Sequence, residues 1–305
     1  MKILFINHSI IKKCGVYDQG LRHAQAMKGI AGYDVIYREI NNFQCYMDEC
    51  ESIRPDAIVF NYMPVLFSWV SDKINQYKCK KYGVIHEFNS FNYKFDYYVL
   101  FDTSGAGIFP DNTFRLHKPL TPFKCKKRSS IGDPIQIGTF GFAIPNKNFH
   151  RLVREVNIIF DNAVINMNVT EADVAPGLMA VVMDSCFNEI TKPGISINHD
   201  DRFLAEQDVV ECLNKNDINA LFYDNSATGG ISSSFDYLLS AQRPLLISNS
   251  GMFRNIVNNF PTYPGVSFDY MIKNYEELQN KIVSYYNEVR GLFLQETENM
   301  FRVTL

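Results

Sequence analysis

The sequence predicts an α/β protein made of two similar parallel-sheet halves in tandem. Three observations carry this. Short, continuously apolar runs alternate with longer amphipathic stretches; a basic break interrupts the alternation near the middle; and the same alternation then resumes. Strands covered by helices on both faces are apolar throughout, so such runs alternating with helical periods read as βαβ units. A chain of 305 residues accommodates two domains.

In the first half, residues 2–6 read as a strand and 15–27 as a loop leading into a helix. Residues 33–37, 56–62, 83–86 and 95–101 read as four more strands. Pro119 and Pro122 flank an extended piece, and 124–134 is a basic stretch with Ser, Gly and Pro that reads as a solvated linker. The domain boundary falls there, giving domains 1–130 and 131–305. In the second half, 135–140 is a strand entering a glycine turn, 148–160 a helix and 163–167 a strand. Residues 179–190 fit either helix or strand, because periodicity does not separate the two in a short apolar run. Residues 203–213 read as a helix with Phe203, Val209, Val210 and Leu213 on one side. Then follow a strand at 219–223, a helix at 232–242 and a strand at 244–248. The tail, 275–301, is one long helix: Leu278, Ile282, Tyr285, Tyr286, Val289 and Phe293 recur at helical spacing.

Composition narrows the function. Hydrophobic residues make up 46% and charged residues 21%, as in ordinary globular proteins. Thirty basic and 33 acidic residues leave a net charge of −3, which offers no electrostatic footprint for nucleic acid. The seven cysteines are odd in number and contain no C-x-x-C pair, so reduced thiols in the cytoplasm are expected rather than disulfides or a zinc knuckle. The apolar start breaks at Asn7-His8-Ser9, too early for a signal peptide. No stretch reaches the roughly 20 apolar residues of a membrane span, which leaves peripheral membrane contact open. The sequence lacks G-x-x-x-x-G-K-[ST], H-E-x-x-H and G-x-S-x-G, and no cluster with metal-ligand spacing stands out.

Ligands of open parallel sheets bind beyond the C-terminal strand ends, so the loops there are the candidates. After the first strand comes Cys14-Gly15-Val16-Tyr17-Asp18-Gln19-Gly20, where a helix start offers free N–H groups to an anion, although a plain turn fits as well. Residues 138–148 follow a strand with Gly138 and Gly141 and place Lys147, a point charge suited to phosphate, before a helix. Thr228-Gly229-Gly230-Ile231-Ser232-Ser233-Ser234 collects two glycines and three hydroxyls at a helix N-terminus, an anion cradle or a simple serine cap. His86-Glu87 ends an apolar strand; His8 is similarly placed, and His23 reads as structural. His199-Asp200-Asp201 reads as a loop or helix-start cluster able to contact a nucleotide.

In order along the chain, these features resemble the retaining glycosyltransferases of the GT-B fold, family-four type. The match lies in Gly15, in Ile137-Gly138-Thr139-Phe140-Gly141 with Lys147, and in the unit from Ala220 through Ser232 to Pro244 and Ile247. The resemblance implies two Rossmann-like domains with a cleft between them, an N-terminal acceptor domain and a C-terminal donor domain, with a C-terminal helix that crosses back. It implies a nucleotide-sugar donor, a glycan or lipid-linked acceptor, no nucleic-acid partner, no resident cofactor and no required metal. Donor contacts are expected from Gly15, Val16, Thr139, Gly141, Lys147, Tyr223, Gly229, Gly230, Ile231, Ser232, Ser233 and Ser234. Lys147 and His86 are the expected catalytic residues, and Asp18 and Glu87 are assigned to the acceptor. Two features depart from the pattern. Phe142 stands where the family often has arginine, and Tyr237 and Gly229 stand where it often has two glutamates. The Gly-Gly-Ile-Ser-Ser-Ser segment reads as a variant donor loop. A non-catalytic nucleotide-binding module and a nucleotide-sugar epimerase are the competing readings. The run Phe88-Asn89-Ser90-Phe91-Asn92-Tyr93 is a possible aromatic lining for an acceptor.

Overall fold

A computed structural model of the chain describes every residue except 88–90, 92–93, 106, 126–127, 129, 174 and 226–228. The chain divides into two compact units. The first is Met1–Pro119 with Thr228–Ile231 and Val289–Leu305; the second is Leu120–Ala227 with Ser232–Glu288.

In the first unit, β1 (Lys2–Asn7), α1 (Gly15–Met27), β2 (Asp34–Glu39), α2 (Phe43–Ile53), β3 (Ala57–Tyr62), β4 (Lys80–Ile85), β5 (Tyr97–Leu100) and β6 (Thr113–Arg115) follow one another. They build a six-stranded parallel sheet in the order β2-β1-β3-β4-β5-β6. The chain steps from β1 outward to β2 and then returns to place β3 on the other side, so the sheet's switch point lies between β1 and β3. Alternate residues of the central strands fill two cores, one around Leu4, Ile58, Phe60 and Tyr98 and the other around Ile3, Phe5, Val59 and Val84. That is why these runs are apolar without interruption.

In the second unit come β7 (Ile135–Phe142), α3 (Phe149–Ile159), β8 (Ala163–Thr170), α4 (Met179–Phe187), β9 (Ile195–Asp200), α5 (Glu206–Asn214), β10 (Ile218–Leu221), α6 (Ser234–Ala241), β11 (Leu245–Ser248), β12 (Thr262–Tyr263) and α7 (Phe268–Lys273). Their sheet is again parallel, in the order β12-β11-β10-β7-β8-β9, with its switch point between β7 and β10. Helix α8 (Tyr275–Thr304) begins in this unit and ends in the first. Its last turns join the first unit's core through Phe293, Met300 and Phe301, and Glu296 accepts from the His117 backbone N–H at 2.7 Å. No helix among the described residues is long and apolar enough to cross a membrane.

The two-sheet α/β class matches the expectation; several details differ. The 179–190 run is helical as far as Phe187, with Met183 and Cys186 buried. Strand β9 was not anticipated, because Ser196, Asn198 and Asp200 interrupt its apolar residues. It is an edge strand with an uncovered face, so the burial that makes parallel strands apolar does not apply. Phe203 precedes α5 and stacks on Phe142 at 6.1 Å instead of joining the helix's buried side. Nor is the 124–134 stretch a solvated tether where it is described. Arg128 pairs with Asp217, whose carboxylate is wholly buried and also accepts from Gln136 N, and Cys125 donates to the Ala241 carbonyl at 3.2 Å.

Candidate functional site

The switch point of the second sheet brings together the segments after β7 and β10. Lys147 follows β7 through a short 3₁₀ turn, and Tyr223 follows β10. The Lys147 ammonium lies 5.1 Å from the Tyr223 ring centre and 5.5 Å from that of Phe142, cation–π distances on both sides. The Tyr223 hydroxyl donates to Ser234 Oγ at 3.0 Å, which ties the start of α6 into the same place. Gly141 makes the arrangement possible. Its φ is +139°, and a Cβ there would fall on the Lys147 ammonium and within 3.1 Å of the Tyr223 hydroxyl. Among the described residues no carboxylate pairs with Lys147. Loss of hydration pulls its pKa from 10.5 down to about 7. The site therefore holds a cation at a cost and leaves its countercharge to come from elsewhere.

The serine segment contributes unequally. Ser234 is the first residue of α6, so the helix starts two residues later than the sequence suggested. Ser233 occupies the cap position without a side-chain capping bond, while Ser232 Oγ accepts from Ser234 N at 3.2 Å. Gly229 has φ +69°, a conformation that favours glycine. Gly229, Gly230 and Ile231 group with the first unit, where Lys118 Nζ donates to the Ile231 carbonyl at 3.5 Å. Thr228 lies outside the described residues. Thr139 is only 2% exposed. Tyr237, at one of the glutamate positions, packs edge-on against Phe140 at 5.1 Å.

The first unit has its own polar row at its switch point. Asn7 ends β1, Asn61 lies in β3 one residue before its end, and His86 follows β4. Asn61 and Asn7 are wholly buried. Asn61 Nδ2 donates to Asn7 Oδ1 at 2.9 Å and to the Val16 carbonyl at 2.7 Å, which leaves Asn61 Oδ1 as the acceptor facing His86 Nε2 at 2.7 Å. His86 is thus the Nε2–H tautomer, and its Nδ1 lone pair has no partner among the described residues. Burial lowers its pKa to about 3, with Lys118 and His8 adding to the effect, so the ring is neutral. His8 is buried beside it along the strand ends, and its Nδ1 has no partner among the described residues. Sequence reading missed Asn7 and Asn61. The available signal was an amide closing an otherwise apolar strand, a placement with no reason in strand propensity.

Other expected residues are placed as follows. Gly15 opens α1 directly, and Cys14 is the N-cap, its Sγ accepting from Tyr17 N at 3.3 Å, so no free glycine loop precedes the helix. The residue whose missing Cβ matters here is Gly20, where a Cβ would strike the amides of Asn61 and Asn7. Asp18 lies in the first turn of α1, and Glu87 is half-buried after His86. His23 is a core residue, ringed edge-on by Phe5, Phe101 and Phe293 at 5.1 Å each. His199 is in β9 rather than in a loop or helix start, and its Nε2–H reaches the Val169 carbonyl at 2.9 Å. Asp200 is likewise committed, to Arg202. Of the aromatic run at 88–93, only Phe91 is described, and it packs on Tyr98 at 5.0 Å.

No family model matches the sequence, and no curated protein matches it. Solved structures do. The chain is similar to Anabaena Alr3699/HepE in complex with UDP-glucose, with a TM-score of 0.68 and 12% identity over 99% of each chain. It is similar to the apo form of the lipopolysaccharide outer core galactosyltransferase WaaB, with a TM-score of 0.63 and 11% identity over 100% of each chain. It is also similar to the N-terminal domain of Candida albicans trehalose-6-phosphate phosphatase, with a TM-score of 0.61 and 9% identity, covering 100% of this chain and 97% of that one. At such identities the likeness is one of fold: two parallel-sheet units of the GT-B type, with relatives that differ in what they do.

Proposed function

We propose that the chain is a glycosyltransferase that takes a sugar from a nucleoside-diphosphate sugar, with the diphosphate held by the second unit at Lys147. The observation that carries this is the half-buried ammonium of Lys147 at the β7/β10 switch point, where ligands of such sheets bind and where no described carboxylate balances it. A diphosphate is the ligand whose charge completes that site. The likeness in fold to a protein holding UDP-glucose and to a galactosyltransferase supports the reading and makes a uridine diphosphate sugar the first donor to try.

When the bond from the anomeric carbon to the phosphate oxygen breaks, negative charge grows on the departing diphosphate. Lys147, held by Tyr223 and Phe142 and partly desolvated, is preorganised to stabilise that charge. Ser232, Ser233 and Ser234 are assigned to the phosphate oxygens through hydroxyl and N–H groups at the start of α6. With Lys147 as the cation, the transfer is proposed to need no divalent metal, and retention of configuration belongs to the same proposal. In the first unit, neutral His86 with its free Nδ1 is assigned to sugar or acceptor hydroxyls, the acceptor being a glycan or a lipid-linked sugar.

The test is a thermal shift against uridine, guanosine, adenosine and thymidine diphosphates and their sugars. A ligand at 100 times its dissociation constant stabilises the fold by about 2.7 kcal/mol. A shift with one base series that disappears in Lys147→Ala supports the donor site. Silence across all the diphosphates defeats it.

A further inference from the structure

Strands β8 and β9 break the rule that parallel sheets are covered on both faces. On one face, Ile165, Met167 and Ile195 pack into the core with α3 and α4. The other face presents Asn166 and Asn168 on β8, half-buried, and Ser196 and Asn198 on β9, exposed. Asn166 stands directly opposite Asn198, and Asn168 opposite Asp200. Asparagine is among the residues least suited to strands, where Val, Ile or Thr would be the stable choice. Three of them on one strand pair are a cost that local structure does not repay.

These amides floor a cavity of about 880 Å³, walled by α5 on one side and by residues just before β7 on the other. The floor is prearranged. Asn166 Nδ2 donates to Gln136 Oε1 at 3.0 Å and to Asn216 Oδ1 at 2.8 Å, and Asn198 Nδ2 donates to Asn166 Oδ1 at 3.1 Å. Asn168 Nδ2 donates to the carbonyls of Asp200 and Arg202. Each bond orients an amide, and the side-chain oxygens of Asn198 and Asn168 accept no hydrogen bond among the described residues. Charges in the walls cancel locally: Arg128 pairs with Asp217, Asp200 with Arg202, and Lys215 with Glu211. Only Asp133, exposed at the rim, has no such partner among the described residues.

We infer that this groove binds a neutral, hydroxyl-rich chain, a stretch of oligosaccharide, separately from the nucleotide. An anion needs uncompensated cations, and the cations here are paired. A nucleobase needs aromatic faces, and Phe140 alone supplies one. With those bonds made, the floor offers a ligand the side-chain oxygens of Asn168 and Asn198 and one Asn198 N–H, and sugar hydroxyls, which both donate and accept, match that set. The inference goes beyond the donor site and does not depend on it.

The experiment uses the full chain with neutral gluco-, galacto- and xylo-oligosaccharides, read by calorimetry and by protection of Cys212 from maleimide. Cys212 is exposed and lines the groove; Cys45, exposed on α2, is the reference thiol. The expected result is binding by one class that slows labelling of Cys212 and leaves that of Cys45 unchanged. Asn198→Val should weaken that binding about tenfold, the loss of roughly one hydrogen bond to a sugar. Its melting temperature should be held or raised, because valine suits an exposed strand position better. Its response to uridine diphosphate should equal the parent's, so failure of the donor reading and failure of this one remain distinct. Three results overturn the inference: no oligosaccharide binds, Asn198→Val binds as the parent does, or Cys212 is shielded only as protein concentration rises, which assigns the face to a second copy.

Discussion

The Lys147 ammonium lies 5.1 Å from the ring centre of Tyr223, although the two residues are far apart in sequence and arrive from different strands. Parallel pairing of β7 with β10 brings their following loops together. The tyrosine ring supplies some of the electrostatic stabilisation that water would give the ammonium, and its hydroxyl carries the contact on to Ser234.

Replacing Lys147 separates stability from function. Its folded pKa is about 7 against 10.5 when hydrated, so the unfolded chain binds the proton more tightly. The penalty is full below about pH 7 and is relieved as pH rises towards 10.5. Lys147→Met should therefore raise the stability of the ligand-free protein by about 1–2 kcal/mol at pH 6.5, the low part of the range for replacing buried ions, since part of the side chain meets water. The gain should shrink by pH 9. Chemical denaturation at the two pH values measures it, and the same variant should show no diphosphate shift.

Proton linkage gives a second reading of the same lysine. Under the proposed function, a diphosphate binds the ammonium form and raises its pKa. Affinity should then be level below about pH 7 and fall above it, with proton uptake on binding. Calorimetry in buffers of different ionisation enthalpy detects that uptake. Its absence at pH 8 removes Lys147 from the diphosphate contact.

Gly141→Ala should cost about 1–3 kcal/mol, because an L-residue at φ +139° is strained, and should displace Lys147 besides. Gly177→Ala is the control. Its φ is +83° with nothing within 4 Å of the added Cβ, so it should lose stability and keep the nucleotide response.

In the first unit, Asn61→Leu removes the acceptor of His86 Nε2–H and one donor each from the Val16 carbonyl and from Asn7 Oδ1, which keeps its bond from His8 N. A loss of about 1–3 kcal/mol is expected from the unpaired His86 N–H. Gly20→Ala raises helix propensity but drives a methyl into the same amides, and should destabilise on balance. Nitrogen chemical shifts of His86 should show the Nε2–H tautomer in the parent and a mixture in Asn61→Leu.

Burial holds the pKa of His23 near 3, against 6.5 when hydrated. The unfolded chain takes up this proton first, so stability is full above pH 6.5 and declines as pH falls towards 3. At pH 5 the decline from this residue is about 2 kcal/mol. His23→Phe, which continues the ring of Phe5, Phe101 and Phe293, should be less destabilised than the parent between pH 7.5 and pH 5 in thermal melts.

Much of the architecture was legible in sequence because burial writes itself into composition. Runs such as residues 2–6 and 56–62 are apolar on consecutive positions only when both faces are covered, and the glycine turn before Lys147 marked a strand end. Strand β9 escaped because its open face carries Ser196, Asn198 and Asp200 and erases the signal on which strand recognition rests. The stretch before β7 read as a tether, because nothing local reveals that Asp217 waits as a buried partner for Arg128. The tautomer of His86, the lowered pKa of Lys147 and the amide floor between β8 and β9 were decided only by tertiary structure. Each depends on which strand lies beside which, and hydrogen bonding and loss of water are set by neighbours in space, whereas the sequence records only which side chains are present and how they alternate.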